Sequence, residues 1–165
     1  MAAKVTSPRK RDQRMDPDAG NHADIRLWLR LLFCASRIES VLQSRITSDF
    51  GISLARFDLL SQLERVEDGL TMTEVSHRMM VSNGAITSLV DRLVEDGFVR
   101  REPHPRDRRT NIIRLTDEGR ARFLAMAGEH EQWVVGLLDG LDEPVKRGLL
   151  DGLGALKQHL EKTGG

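Results

Sequence analysis

Two helix-capping signals stand eleven residues apart, at Thr71 and Ser82, and that spacing constrains the fold more than any other feature of the chain. Thr71-Met72-Thr73-Glu74 has the form of a capping box, in which the threonine hydroxyl accepts from the backbone N–H three residues on and the glutamate reaches back. The helix it opens is expected to bury Val75 and Met79, and Ser82 caps a second helix directly after it. Two short helices joined so closely give a helix-turn-helix, a unit whose second helix enters the major groove of DNA.

At 100° per residue that second helix turns Ile86, Leu89, Val90 and Leu93 inward and Gly84, Thr87, Ser88 and Asp91 outward. The outward face is small and polar, so nothing bulky holds the helix out of a groove and its hydroxyls can reach base edges or phosphates. Ser82 and Asn83 at its start and Arg92 further along are expected to join these contacts. Taken alone, the same helix reads equally well as an amphipathic surface helix.

The residues that follow weigh against that plainer reading. Gly97 stops the helix, and FVRRE (98–102) and TNIIRLT (110–116) read as two strands, with Ile113 and Leu115 alternating with Arg114. PHPRDRR between them is expected to form a loop rather than strand, because of its two prolines. It carries Arg106, Arg108 and Arg109, which suit the electronegative minor groove and its flanking phosphates; Asp107 is expected to orient the neighbouring guanidiniums.

Formal charge is zero, 25 basic residues against 25 acidic, so no global field draws the chain to nucleic acid. The attraction has to be local. Residues 98–114 hold six arginines against two acids, a net of +4, whereas residues 117–165 carry nine acids against six bases, a net of −3.

The remainder of the 165 residues reads as helical support: 39% are hydrophobic, only 4% aromatic, and there is no tyrosine. Residues 1–20 are a basic stretch with few large apolar groups, either a solvated, disordered tail or an arm that adds phosphate contacts or closes over a ligand. From about His22 to Ser48 runs a helix of roughly 40 Å whose first half, IRLWLRLLFCAS, is apolar on most sides. Such a helix must be enclosed, and a second subunit is the expected cover. Gly51 ends it, Ser53 caps the next helix (about 54–66), and Thr116 caps another running to about Leu138. A last helix starts near Asp142, with a stripe of Val145, Leu149, Leu153, Leu156 and Leu160. Gly148, Gly152 and Gly154 weaken it by about 1 kcal/mol each relative to alanine, so close packing against the first helix and a partner is expected.

The single cysteine, Cys34, fits a reducing interior, and no apolar run nears the roughly 18 residues that span a bilayer. A soluble, cytoplasmic protein is expected, associated with the nucleoid when on DNA. Five scattered histidines offer no metal-ligand spacing, and no nucleophile–base motif or phosphate loop occurs, so neither enzyme, catalytic residue, metal site nor cofactor is expected.

The segment TMTEVSHRMMVSNGAITSLVDRLVEDGFVRREPHPRDRRTNIIRLTDEG resembles the winged helix-turn-helix core of MarR-family transcription regulators, through V-S-x-G-x-[IV]-T-x-L-V-D-R-L, P-x-D-R-R and L-T-x-x-G. The resemblance extends over about residues 22–160. It implies a mainly α fold with a small β-hairpin wing, with residues 51–116 as the DNA-binding domain and 21–50 plus 117–162 as a helical dimerisation region. It further implies a homodimer on a pseudo-palindromic operator, released by a small molecule, with a recognition helix at Ser82–Glu95 and a wing at Arg100–Arg114 in which Asp107 and Arg109 match the family's wing pair. LRLLFCASRIESVLQSRI followed by GISLARFDLL is similar to regulators of aromatic-acid degradation, some of which answer to hydroxycinnamates or their CoA thioesters. Trp28, Phe33 and Phe57 would supply an apolar slot and Arg30, Arg37 and Arg56 the charge, although each reads equally as core or surface. The peroxide-sensing branch holds its reactive cysteine with tyrosines, absent here, and the apolar surroundings of Cys34 predict a buried, unreactive packing residue. An architectural or redox-responsive winged-helix protein is the alternative reading.

Overall fold

The computed structural model describes residues 17–163, apart from the side chains of residues 17–21, Asn83 and Arg108; most of the N-terminal stretch read above as a tail therefore lies outside the described residues. In chain order the elements are α1 (Pro17–Phe50), α2 (Leu54–Glu64), β1 (Leu70–Thr71), α3 (Met72–Met79), α4 (Asn83–Glu95), β2 (Val99–His104), β3 (Asp107–Leu115), α5 (Asp117–Leu137) and α6 (Glu143–Thr163). The chain divides between Ile38 and Glu39 into two units.

In the first unit α1 begins at Pro17, five residues before the expected start, and Ile25, Leu27, Trp28, Leu29, Leu32 and Phe33 are all exposed. Cys34 is exposed as well, contrary to the expectation of a buried packing residue: the apolar neighbours that predict its burial are themselves uncovered in a single chain.

The second unit holds the core. Gly51 closes α1 at φ +69°, with its N–H returned to the Thr47 carbonyl at 3.0 Å. Ser53 caps α2, which turns Phe57, Leu59, Leu60 and Leu63 inward. The capping box of α3 forms as read: Thr71 Oγ1 accepts from Glu74 N, and Glu74 Oε2 accepts from Thr71 N at 2.8 Å, bonds that hold the Glu74 carboxyl below its ordinary range. Val75 is buried, but Met79 is only half-buried. Strand β1 is an addition to the expected hairpin. It is two residues long, too short to show an alternation, and pairs Leu70 with Ile113 and Thr71 with Ile112 in an antiparallel sheet of order β1-β3-β2. Gly69, at φ +72°, lets the chain enter this strand, since a Cβ there would lie 2.7 Å from Ile112 Cγ2.

Helix α4 ends in a Schellman motif: Phe98 N–H returns to Leu93 O (2.9 Å) and Gly97 N–H to Val94 O (3.0 Å), with Gly97 at φ +75°. The start of α5 is built onto that ending. Thr116 Oγ1 accepts from Gly119 N and donates to Gly97 O at 2.7 Å, its N–H donates to Phe98 O, and Gly119 sits against the Phe98 backbone so closely that a Cβ would collide with it. Arg122 completes the joint, its guanidinium 3.8 Å over the Phe98 ring and Nη1 donating to Asp96 O.

Helix α6 buries none of its residues; Leu149 and Leu153 remain about half exposed, and only Leu156 of the expected stripe is half-buried. Gly148, Gly152 and Gly154 have nothing within 4 Å of where a Cβ would stand, so the close helix contact expected there is not made among the described residues.

Candidate nucleic-acid interface

Ser82 sets α4 in place: in an extended conformation (φ −66°, ψ 151°), its hydroxyl accepts from Ala85 N at 3.4 Å. Ile86, Val90 and Leu93 are fully buried and Leu89 half-buried, which fixes the rotation of the helix and leaves Gly84, Thr87, Ser88 and Arg92 exposed on the opposite side. The side chain of Asn83 lies outside the described residues. Gly84, Thr87, Ser88 and Arg92, together with Gly51 and Arg56, line an open concavity of 670 Å³. Its wall carries hydroxyls, two guanidiniums and bare glycine backbone, and also the carboxylates of Asp91, Glu95 and Asp96, so it can both donate to and accept from polar edges.

Asp91 faces outward by angle yet is half-buried, because Arg101 of β2 pairs with it. A second ion pair joins the buried Arg56 on α2 to Asp96, the C-cap of α4. Both tie the helix to its neighbours, and neither was anticipated: partners 10 and 40 residues apart leave no periodic trace in a sequence.

The wing differs from its expected form. PHPRDRR is not a loop: β2 continues to His104, β3 begins at Asp107, and only residues 105–106 turn. Pro103 is tolerated because β2 is an edge strand, and the register is irregular between Pro103 and His104. Two side chains hold the tip. His104 Nδ1 accepts from Arg106 N at 3.2 Å, while Asp107 Oδ1 accepts from Arg109 N at 3.0 Å and Oδ2 from the Thr110 hydroxyl at 2.8 Å. Asp107 thus shapes the backbone beneath the arginines. The backbone bond from Arg109, followed by that from Thr110, lowers its carboxyl pKa.

The wing arginines fall into two groups. Arg100 pairs with Glu102 at 2.6 Å, Arg101 with Asp91, and Arg114 with Glu102 at 3.0 Å while Nη1 donates to Glu67 O at 2.6 Å. The hydrogen bond from Arg100 holds the Glu102 carboxyl below its ordinary range. Arg106 and Arg109 at the tip are exposed and have no carboxylate within ion-pair distance among the described residues; the Arg108 side chain is outside them.

Residues 50–110, which contain this helix and wing, match the sequence profile of the MarR family. Over a longer span, the HTH-type transcriptional repressor YetL of Bacillus subtilis is 31% identical across 144 residues, covering 87% of this chain and 84% of its own. The chain belongs to the MarR family of transcriptional regulators. The HTH-type transcriptional regulator PecS of Dickeya dadantii is 32% identical over 118 residues, 70% of this chain and 71% of its own. A MarR-family transcriptional regulator of Streptomyces coelicolor, solved in complex with DNA, shares 25% identity at a TM-score of 0.74 and covers 91% of this chain and 93% of its own. The MarR-family fold and these relatives are those of DNA-binding transcriptional regulators rather than enzymes. Among the described residues, no helix is long and apolar enough to cross a membrane.

The residues read as a ligand slot have different surroundings. Trp28, Arg30, Phe33 and Arg37 are exposed on α1 in the first unit. In the second, Phe57 is buried between Phe123 (ring centroids 5.3 Å) and His130 (4.7 Å), and Arg56 is held by Asp96.

Proposed function

We propose that this MarR-family regulator is a homodimeric repressor that reads a pseudo-palindromic operator and releases it when a small aromatic acid, or its CoA thioester, binds. Residues 51–116 form its DNA-binding domain, and 21–50 with 117–162 its dimerisation region. The observation that carries the DNA-contact assignment is the division among the wing arginines: Arg100, Arg101 and Arg114 are engaged within the protein, while Arg106 and Arg109 remain without acidic partners at the tip. Ser82, Asn83, Gly84, Thr87, Ser88 and Arg92 then take the major groove, and Arg106, Arg108 and Arg109 the minor groove and phosphates.

Support for the dimer is the apolar surface of α6 and of the N-terminal half of α1, which a second copy would cover. Repression follows the relative from Bacillus subtilis, which is named a repressor. For the effector, the exposed Trp28 and Phe33 beside Arg30 and Arg37 in sequence supply the flat apolar surface and cation that an aromatic carboxylate requires.

Selection from a random duplex pool supplies the operator for the test. Arg109→Ala is expected to weaken operator binding by about tenfold and to reduce the slope of log K against log salt by about one, with the dimer intact. Unchanged binding would show that the wing is misassigned, and equal affinity for random and palindromic duplexes would favour an architectural role. Hydroxycinnamates and their CoA thioesters, screened by thermal shift and then by operator release, test the effector class; release is expected at micromolar levels, and silence across the panel rejects it.

A further inference from the structure

Among the described residues, Met80 is the non-glycine residue with a positive φ (54°, with ψ 37°). It is also the most exposed large hydrophobic side chain, at 91%. Both features run against stability. The left-handed region disfavours every side chain that branches from a Cβ without a local hydrogen bond, and glycine would occupy it without strain or exposed apolar surface. The turn nevertheless holds Met80 firmly: its N–H donates to His77 O at 3.3 Å, Val81 N–H to Ser76 O at 3.2 Å, and the Ser76 hydroxyl to Val81 O at 2.6 Å. A strained conformation fixed on both sides, and presenting an apolar side chain to solvent, points to a function for that side chain.

Its position says what it meets. Met80 is the C-cap of α3 and stands two residues before Ser82, the N-cap of α4, with the partly exposed Val81 between them. With α4 seated N-terminus first in the major groove, the residues just ahead of its cap lie at the groove edge. The apolar group that base pairs display there is the thymine 5-methyl. Methionine, unbranched and polarizable, adapts to such a methyl without demanding one geometry. We propose that Met80 is a specificity-determining residue, packing its thioether against a thymine methyl at the edge of each operator half-site. The proposal rests on the reading that α4 enters the major groove.

The test uses the full-length dimer and the duplex it selects from a random pool. Each thymine is replaced in turn by uracil, which removes only the methyl, and binding is measured for the unmodified protein, Met80→Gly and Met80→Asn. Both substitutions suit a positive φ, so the melting temperature should hold. One thymine per half-site should matter: its replacement should weaken the unmodified protein by about fourfold, the burial of one methyl group. The two variants should bind the thymine duplex about fourfold less tightly than the unmodified protein and be indifferent to uracil at that position. If no position shows this coupling, or if Met80→Gly binds as tightly as the unmodified protein, Met80 reads no methyl and the proposal is overturned while α4 keeps its place. If selection yields no preferred sequence and Arg109→Ala changes nothing, the underlying assignment of helix and wing has failed instead.

Discussion

The stretch from α3 to β3 and the terminal helix α6 both carry clear apolar patterns, yet their inward faces meet different fates. Val75, Ile86, Val90, Leu93 and Ile113 are all sealed at 0% exposure, whereas α6 buries nothing. The stretch from α3 to β3, proposed above as the reader, satisfies itself within one chain: capping residues take its helix ends, ion pairs fix α4 to β2 and α2, and α5 grips its last turn. In α6 the same physical demand is unmet. An apolar stripe states that a face requires burial without saying which surface provides it. The two regions should therefore respond differently to substitution, the reader through its own folding and α6 through association.

The largest effect is expected where a charge is placed in the α6 stripe. Leu153 is 47% exposed in the single chain. Full burial of a leucine contributes about 1.5–3 kcal/mol, and the half still exposed in each of two symmetric copies adds up to about that much, so Leu153→Asp, which also brings in a charge, should weaken dimerisation by about a hundredfold. Sedimentation should then report monomers, while hydrogen exchange of the α4 amides stays as protected as before. A variant that remains dimeric would break the contrast between the regions, as would loss of protection in α4.

Glycines sharpen the comparison at a smaller scale. A methyl at Gly119 would collide with the Phe98 backbone, which cannot swing aside as a side chain does, so Gly119→Ala should destabilise the reader by about 1–3 kcal/mol or more. Gly152 has open space around it, and Gly152→Ala should instead stabilise helix α6 by about 1 kcal/mol in a monomeric background such as Leu153→Asp. Thermal unfolding of the two variants gives opposite shifts if the reading is right. Equal shifts would mean that the joint between α4 and α5 is softer than its contacts indicate.

These residues also mark how far the sequence could be read. Caps at Ser53, Thr71, Ser82 and Thr116 were legible because capping is local, with its partners within three residues. The inward face of α4 followed from helical periodicity, and the close succession of α3 and α4 from the spacing of their caps. Strand β1 escaped because two residues have no period, and the hairpin was drawn too short because prolines were taken to end strands even at an edge. Gly119 appeared only as the last letter of a motif; its reason, the Phe98 carbonyl, lies across a fold. In the wing the sequence singled out Arg106, Arg108 and Arg109 by their place between the strands, but what engages Arg100, Arg101 and Arg114 (Glu102, Asp91 and the Glu67 carbonyl) is a matter of tertiary placement that it did not show.

The smallest expected effect concerns Asp107, where the reader's self-sufficiency reaches its outermost turn. Its carboxyl accepts from Arg109 N and the Thr110 hydroxyl, and these bonds favour the charged form, so its pKa in the folded wing lies below its unfolded value. For an acid with a lowered pKa, the stabilising contribution is fully present above the unfolded value, near 3.9, and is lost as pH falls through the lower, folded value. Protection of the Arg109 amide, its exchange rate relative to an unfolded chain at the same pH, should therefore hold from neutral pH down into the ordinary aspartate range and be lost only below it. Asp107→Asn keeps an acceptor but removes the charge, so it should lower that protection at neutral pH and abolish its acid dependence, with the melting temperature unmoved because the site is exposed. Should the Arg109 amide exchange at the same rate in both proteins, the tip is held by His104 and the strand pairing alone, and the boundary of the self-sufficient region moves inward to β2 and β3.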